Sequence, residues 1–258
     1  MVVDIEVHNR VATITLNRPD VMNAVDSDMR AALHEAWNRL VTDDAIHVAV
    51  LTGAGDRAFC AGADLKRTAP PPESHAARAF GSSEPDHLLA GLVTDKPLLC
   101  AVNGYAIGAG LELALACDIR LASPSAQFGL SEVRVGSIPG AGGTQMLPRT
   151  VGRSMAMQML LTGDRIDAEA ALQWGLVSEI VESPGLLDRA LEVAERIAAN
   201  APLAVRAVKR LVTHGADVPL PTGLEMERFV WGLLRDSEDR VEGRKAFQEK
   251  RPPTYRGR

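Results

Sequence analysis

Two apolar runs of strand length, each closed by a glycine turn, constrain this chain more than any other feature. They are HVAVLTG, from His47 to Gly53, and KPLLCAVNG, from Lys96 to Gly104. A strand that is apolar at successive positions has to be covered on both faces. Helical covers are at hand. Asp26 and Ser27 can cap a segment whose Met29, Leu33, Ala36, Trp37 and Leu40 recur on one helical face. The second run leads through a glycine-rich turn into the helix-like GLELALACD and then a short strand, Ile119 to Ala122. This strand-helix-strand order predicts an α/β fold with a largely parallel sheet. In front of it, Val3, Ile5 and Val7 alternate with polar neighbours, and Ile14 and Leu16 follow a turn at His8 to Arg10, the pattern of a hairpin.

From Pro184 onward the sequence is helical: Leu186 to Ala199, a proline-started helix after Asn200, and a segment from Thr222 to Lys250. We therefore place a core at 1–199 and a C-terminal helical region at 200–258. The stretch from Thr68 to His87 is rich in Pro, Ser and Gly and reads as an excursion or lid. The length, 258 residues, suits one large domain. A net charge of −5 gives no general attraction to phosphate backbones, so nucleic acid is not expected as a main partner. Cys60, Cys100 and Cys117 have neither a disulfide framework nor metal spacing and read as buried thiols. The N-terminal apolar stretch is broken by Asp4, Glu6 and Arg10, unlike a secretion signal, and no run is long enough to span a membrane. A cytoplasmic location is expected.

Common catalytic signatures fail. Gly108 and Gly110 follow a strand and open a helix, but the third glycine of a dinucleotide site is replaced by Leu113. No phosphate loop, nucleophile elbow or paired-histidine zinc motif occurs, so no metal or cofactor is expected. What remains is Glu112, set among Leu111, Leu113, Ala114, Leu115 and Ala116. A helix apolar all round is buried, and an ionised carboxylate in it needs compensation. Glu112 is therefore either functional or paired with an arginine such as Arg120 or Arg134. Glu132, among glycines and a proline, is either a second functional acid or a loop surface residue. The turns at FCAGADLK and at Gly110 can present the N–H groups of Ala63 and Ala109 as an oxyanion hole, or serve as ordinary glycine turns.

The stretches LNRPDVMNA, VLTGAGDRAFCAGADLK, AVNGYAIGAGLELALACDIRLAS, FGLSEVRVGSIPGAGGTQMLPRTVG and LTGDRIDAEAALQWGLV resemble the crotonase, or enoyl-CoA hydratase/isomerase, superfamily. The likeness runs from about Asn17 to Val181 and returns in EGRKAFQEKR. It implies a ββα spiral with a C-terminal helical region used for trimers or dimers of trimers. It also implies an acyl-CoA substrate, an oxyanion hole from Ala63 and Ala109, and catalytic acids Glu112 and Glu132. Ala24, Ala61, Asp64, Leu65, Lys66, Gly140, Phe247 and Lys250 fall at substrate- or CoA-contacting positions. Lys66 and Lys250 would meet CoA phosphates and Phe247 would cover the adenine, unless they are solvated charge and core aromatic.

Having both acids, the chain resembles the hydratases more than the isomerising or bond-cleaving branches. The alternatives are an enoyl-CoA isomerase, a branched-chain hydratase of the methylglutaconyl type, or a non-enzymatic acyl-CoA or RNA binder. Three departures stand out: Ala109 in place of a middle glycine, Ser131 where proline is frequent, and Asp20 where a basic residue is common. Ser131 is expected to hold Glu132 less rigidly than proline would.

Overall fold

The hairpin forms as expected. Strands β1 (Val3–His8) and β2 (Val11–Leu16) pair antiparallel with Val3 opposite Leu16, and Asn9 and Arg10, at φ 47° and 69°, make its two-residue turn. The structure is a computed structural model describing residues 1–67 and 88–258; the excursion read at 68–87 lies outside the described residues.

The first apolar run is β3 (Val48–Gly53) and the second contains β5 (Leu98–Val102). With β7 (Ile119–Ala122) and β10 (Glu179–Ile180) they complete a six-stranded sheet in the order β1-β2-β3-β5-β7-β10. Every pairing after the hairpin is parallel. The alternation of side chains explains why the strands are apolar throughout. Ala49, Leu51, Cys100 and Val102 face the cluster containing helix α1 (Ser27–Thr42), while Val48, Val50, Leu99 and Ala101 face another helix, Leu186–Ala198. Asp26 caps α1 by accepting the Met29 N–H at 3.0 Å, and all five expected apolar positions are buried.

A second sheet has four strands in the order β4-β6-β8-β9: β4 (Ala58–Cys60), β6 (Tyr105–Ile107), β8 (Gln127–Gly129) and β9 (Arg165–Asp167). The chain alternates between the sheets, passing from β3 to β4, from β5 to β6 and from β7 to β8, which is the ββα spiral the resemblance implied. Strands β4, β6 and β8 are parallel neighbours, so their carboxyl ends lie side by side. From those ends the chain runs, respectively, into the Ala63 turn, into helix α2 (Ala109–Leu115), and into a 3-10 turn at Glu132–Val135. After that turn come α3 (Gly143–Val151), α4 (Arg153–Thr162), α5 (Ala168–Gln173) and α6 (Leu186–Ala198).

The C-terminal region begins with α7 (Pro202–Gly215) and continues as α8 (Leu220–Leu234) and α9 (Glu238–Glu249). The single segment expected from Thr222 to Lys250 is thus two helices. Ser237 ends the run because its hydroxyl caps α9, accepting the Arg240 N–H at 3.2 Å. Ion pairs join α7 to the core, with Lys209 Nζ 2.8 Å from Asp118 and Arg206 2.7 Å from Asp95. Among the described residues no helix is long and apolar enough to cross a membrane.

Lys96, at the head of the second run, is buried with its ammonium donating to the carbonyls of Leu40 and Asp43, both at 2.8 Å. It closes the C-terminal end of α1. Lys96→Ala should therefore lower the unfolding free energy in urea titration by about 1–3 kcal/mol for the orphaned carbonyls; an unchanged midpoint would show that water replaces the ammonium freely.

Candidate active site

Beyond β4 the backbone turns at Gly62, whose φ of +99° favours glycine. A methyl built there would lie 2.9 Å from the Ile107 carbonyl oxygen and 3.8 Å from the Ala109 nitrogen, so the two turns are in contact. Ala63 forms a parallel bridge with Val25: the Val25 N–H donates to Gly62 O at 2.8 Å and the Asp64 N–H donates to Val25 O at 2.9 Å. Successive peptide groups in an extended segment point to opposite sides. The Ala63 N–H therefore faces away from Val25, and it has no acceptor among the described residues. Ala109 is the first residue of α2, where an N–H has no partner within the helix. Two unused donors thus stand on touching turns at the positive end of a helix.

Glu112 lies one turn into α2 and is 3% exposed. Neither arginine that the sequence offered as a partner reaches it: Arg120 donates to the carbonyls of Leu176, Ala114 and Cys117, and Arg134 to Asp164 and Thr162 O. Instead Glu112 Oε1 accepts the backbone N–H groups of Ala141 at 2.6 Å and Gly143 at 2.9 Å. Hydrogen bonds to a charged group are worth about 1.5–3 kcal/mol each, enough to offset much of the lost hydration.

Glu132 is half-buried beside the same turn, and a methyl on Gly108 would meet its Oε1 at 2.9 Å. Its Oε2 is buried with no hydrogen-bond partner among the described residues. Burial pushes its carboxyl above the ordinary value of 4.5, opposed by its own backbone N–H, and the nearby charge of Glu112 pushes it further up. The two acids are thus electrostatically aware of each other but differently seated. Ser131 does not leave Glu132 loose. Its hydroxyl donates to Gly163 O at 2.9 Å and Arg134 Nε donates to Thr162 O at 3.1 Å, so hydrogen bonds hold the turn where proline was the expected constraint.

The remaining positions fall in three places. Ala24, Ala61, Asp64, Leu65 and Lys66 share the paired turns around Ala63; Lys66 and Leu65 are exposed, whereas the Ala24 carbonyl and the Asp64 carboxylate are engaged by Arg18. Gly140 is exposed next to Ala141. Phe247 and Lys250 stand at the end of α9, exposed, and no hydrogen bond or ion pair links them to the Ala63 turn among the described residues. Phe247 borders a cavity of about 710 Å³ with Trp231 and Tyr255. Sequence reasoning missed the Ala141 and Gly143 donors, although the run GSIPGAGGT signals a loop rich in free N–H groups. It also missed Arg18. No group of three metal-ligating side chains occurs among the described residues.

The sequence profile described as "Enoyl-CoA hydratase/isomerase" matches residues 6–258. The chain is 51% identical over 257 residues to an (E)-benzylidenesuccinyl-CoA hydratase of Thauera aromatica, covering 100% of both chains. It is 43% identical to a 2,3-dehydroadipyl-CoA hydratase of Escherichia coli, covering 96% of each. A crystal structure of an enoyl-CoA hydratase from Bacillus anthracis superposes with a TM-score of 0.89 at 37% identity, over 100% of both chains.

The two seats predict opposite stability effects. A carboxyl with a raised folded-state pKa binds its proton more tightly folded than unfolded, so its penalty grows as pH rises above 4.5 and is absent below it. Glu132→Gln should melt above the wild type at pH 7, with the difference vanishing in acid. Glu112→Ala should melt well below it, by about 1–3 kcal/mol for each orphaned N–H, while Glu112→Gln keeps an acceptor and most of the stability. Calorimetry across pH checks this; a less stable Glu132→Gln at neutral pH would contradict it.

Proposed function

The chain belongs to the enoyl-CoA hydratase/isomerase family, and from that premise we propose that it adds water reversibly across the 2,3 double bond of an enoyl-CoA thioester. One observation carries this reading: Glu112, one turn into α2, and Glu132, whose Oε1 lies against Gly108 at the head of that helix, stand beside two unused N–H groups. Nucleophilic addition at Cβ of an enoyl thioester sends negative charge to the thioester oxygen. The N–H groups of Ala63 and Ala109 receive that charge, each contributing about 3 kcal/mol to the transition state.

Glu112 and Glu132 divide the proton work. Glu112 has two donors on Oε1, which leaves Oε2 to orient water and take its proton. The raised pKa of Glu132 suits it to hold a proton and give it to Cα. The product is the 3-hydroxyacyl thioester, and a proton returned from Glu112 to Glu132, directly or through solvent, closes the cycle. Migration of the double bond needs one group to carry a single proton, so two poised acids favour hydration. The chemistry uses no cofactor beyond the CoA of the substrate. Lys66 and, from the C-terminal region, Phe247 and Lys250 contact the CoA, with Ala24, Ala61, Asp64, Leu65 and Gly140 along the acyl-pantetheine path. The buried free cysteines suit a reducing compartment such as the cytoplasm.

Two relatives are named for thioesters with a second carboxylate, benzylidenesuccinyl-CoA and 2,3-dehydroadipyl-CoA. We read the same class, an enoyl-CoA whose acyl chain carries a distal carboxylate, as the preferred substrate. The C-terminal helices expose Val208, Val212, Leu224, Phe229, Trp231 and Leu233, apolar surface that assembly into trimers or hexamers would cover.

Kinetics with 2,3-dehydroadipyl-CoA, (E)-benzylidenesuccinyl-CoA, crotonyl-CoA and 2-hexenoyl-CoA test the reading. Product mass should rise by one water, and kcat/KM should be at least about tenfold higher for an acid-bearing substrate. Glu112→Gln and Glu132→Gln should each lose about 10²- to 10⁴-fold in turnover. Rearrangement without mass change, or full turnover in both variants, would overturn it. Light scattering should give a multiple of three times 27.6 kDa, and Phe229→Glu with Leu233→Glu should shift it toward the monomer; a monomeric wild type would refute the assembly.

A further inference from the structure

The mechanism above does not use the charged residues of LNRPDVMNA, yet the structure places one of them at the seat of a donor. The side chain of Arg18 is 13% exposed and makes three contacts: Nη1 donates to Ala24 O at 2.5 Å, and Nη2 lies 3.0 Å from Asp26 Oδ2 and 3.4 Å from Asp64 Oδ2. These partners sit on both sides of the bridge that aims the Ala63 N–H. Asp64 directly follows Ala63, while Ala24 and Asp26 flank Val25, whose N–H and carbonyl grip Gly62 and Asp64. Asp26, 2% exposed, also caps α1 and receives Arg67 from the far end of the same turn. Asn23 ties this segment to β4, accepting the Arg18 N–H at 2.9 Å and donating to Ala58 O at 2.9 Å.

We propose that Arg18 is a positioning residue for catalysis: by bridging Asp26 and Asp64 it fixes the direction of the Ala63 N–H. Resting on the assignment of that N–H to the thioester oxygen, it acts through the backbone and touches no substrate. Three features favour this over a merely structural ion pair. One guanidinium serves carboxylates on two chain segments, that of Asp26 and that of Asp64, the latter 46 residues from Arg18. Its planar fork is suited to two acceptors at once, which an ammonium holds less directionally. And Arg18 anchors the segments on both sides of the Gly62 turn, adding side-chain restraint to its backbone hydrogen bonds. A tilt of that turn leaves the other substrate contacts in place but spoils alignment with the developing oxyanion, so it lowers kcat more than it raises KM.

The test compares wild type, Arg18→Gln and Arg18→Lys by hydration kinetics, thermal melting and the absorption of bound 4-dimethylaminocinnamoyl-CoA. That chromophore shifts to longer wavelength when its carbonyl oxygen accepts strong hydrogen bonds. Arg18→Gln should lose about 10- to 100-fold in kcat with KM within about threefold, and show a clearly reduced spectral shift. Arg18→Lys should recover part of both. A folded Arg18→Gln with wild-type kcat and spectral shift, even if it melts lower, overturns the proposal. If Arg18→Gln does not fold, Arg18→Lys, which keeps the charge but not the planar fork, decides: a reduced shift supports the positioning role and an unchanged one refutes it. No shift in the wild type would instead remove the oxyanion assignment on which the proposal rests.

Discussion

A carboxylic side chain inside a helix made otherwise of leucine, alanine and glycine can stay buried only if the fold brings it donors, and the arrangement of this site follows from that demand. The donors are the Ala141 and Gly143 N–H groups, which both point at Glu112 Oε1. To deliver them, the chain after β8 crosses the 3-10 turn carrying Glu132 and then folds back over α2. The loop that stabilises one acid therefore also carries the other. The coupling is architectural as well as electrostatic, because three adjacent parallel strands end at the same edge and release the Ala63 turn, α2 and the Glu132 turn there. Ligand sites at the carboxyl ends of parallel strands follow the same logic in other α/β folds.

The two acids show how environment rather than residue type sets a role. One has strong donors and little exposure; the other has a buried oxygen without a partner and a carboxyl pushed upward by burial. A pair differing in this way is suited to taking a proton at one atom and giving one at another. The donors across from them are main-chain groups, so their aim depends on the turns that carry them rather than on side-chain rotamers.

Much of this was legible in the residues. The apolar runs of β3 and β5 demanded cover on both faces, and α1 and α6 supply it. Asp26 as a cap, the hairpin turn and the burial of Glu112 were all readable because each depends on local pattern. What escaped depends on contacts distant in sequence. Glu112 meets donors 29 and 31 residues away, and no spacing rule distinguishes those from Arg120 or Arg134. The Arg18 bridge and the Ser131 anchor at Gly163 are hidden for the same reason. The break between α8 and α9 falls in the polar run from Arg235 to Arg240, a local signal that a single segment from Thr222 to Lys250 overlooks.

In the proposed mechanism the Ala63 and Ala109 N–H groups converge on one thioester oxygen while Glu112 and Glu132 flank the adjoining carbons. A crystal structure with a bound, unreactive acyl-CoA thioester measures this directly. The carbonyl oxygen should lie about 2.7–3.1 Å from both nitrogens, with the Glu112 carboxylate facing Cβ and the Glu132 carboxyl facing Cα. A thioester carbonyl bound elsewhere, or carboxylates turned away from those two carbons, would contradict it.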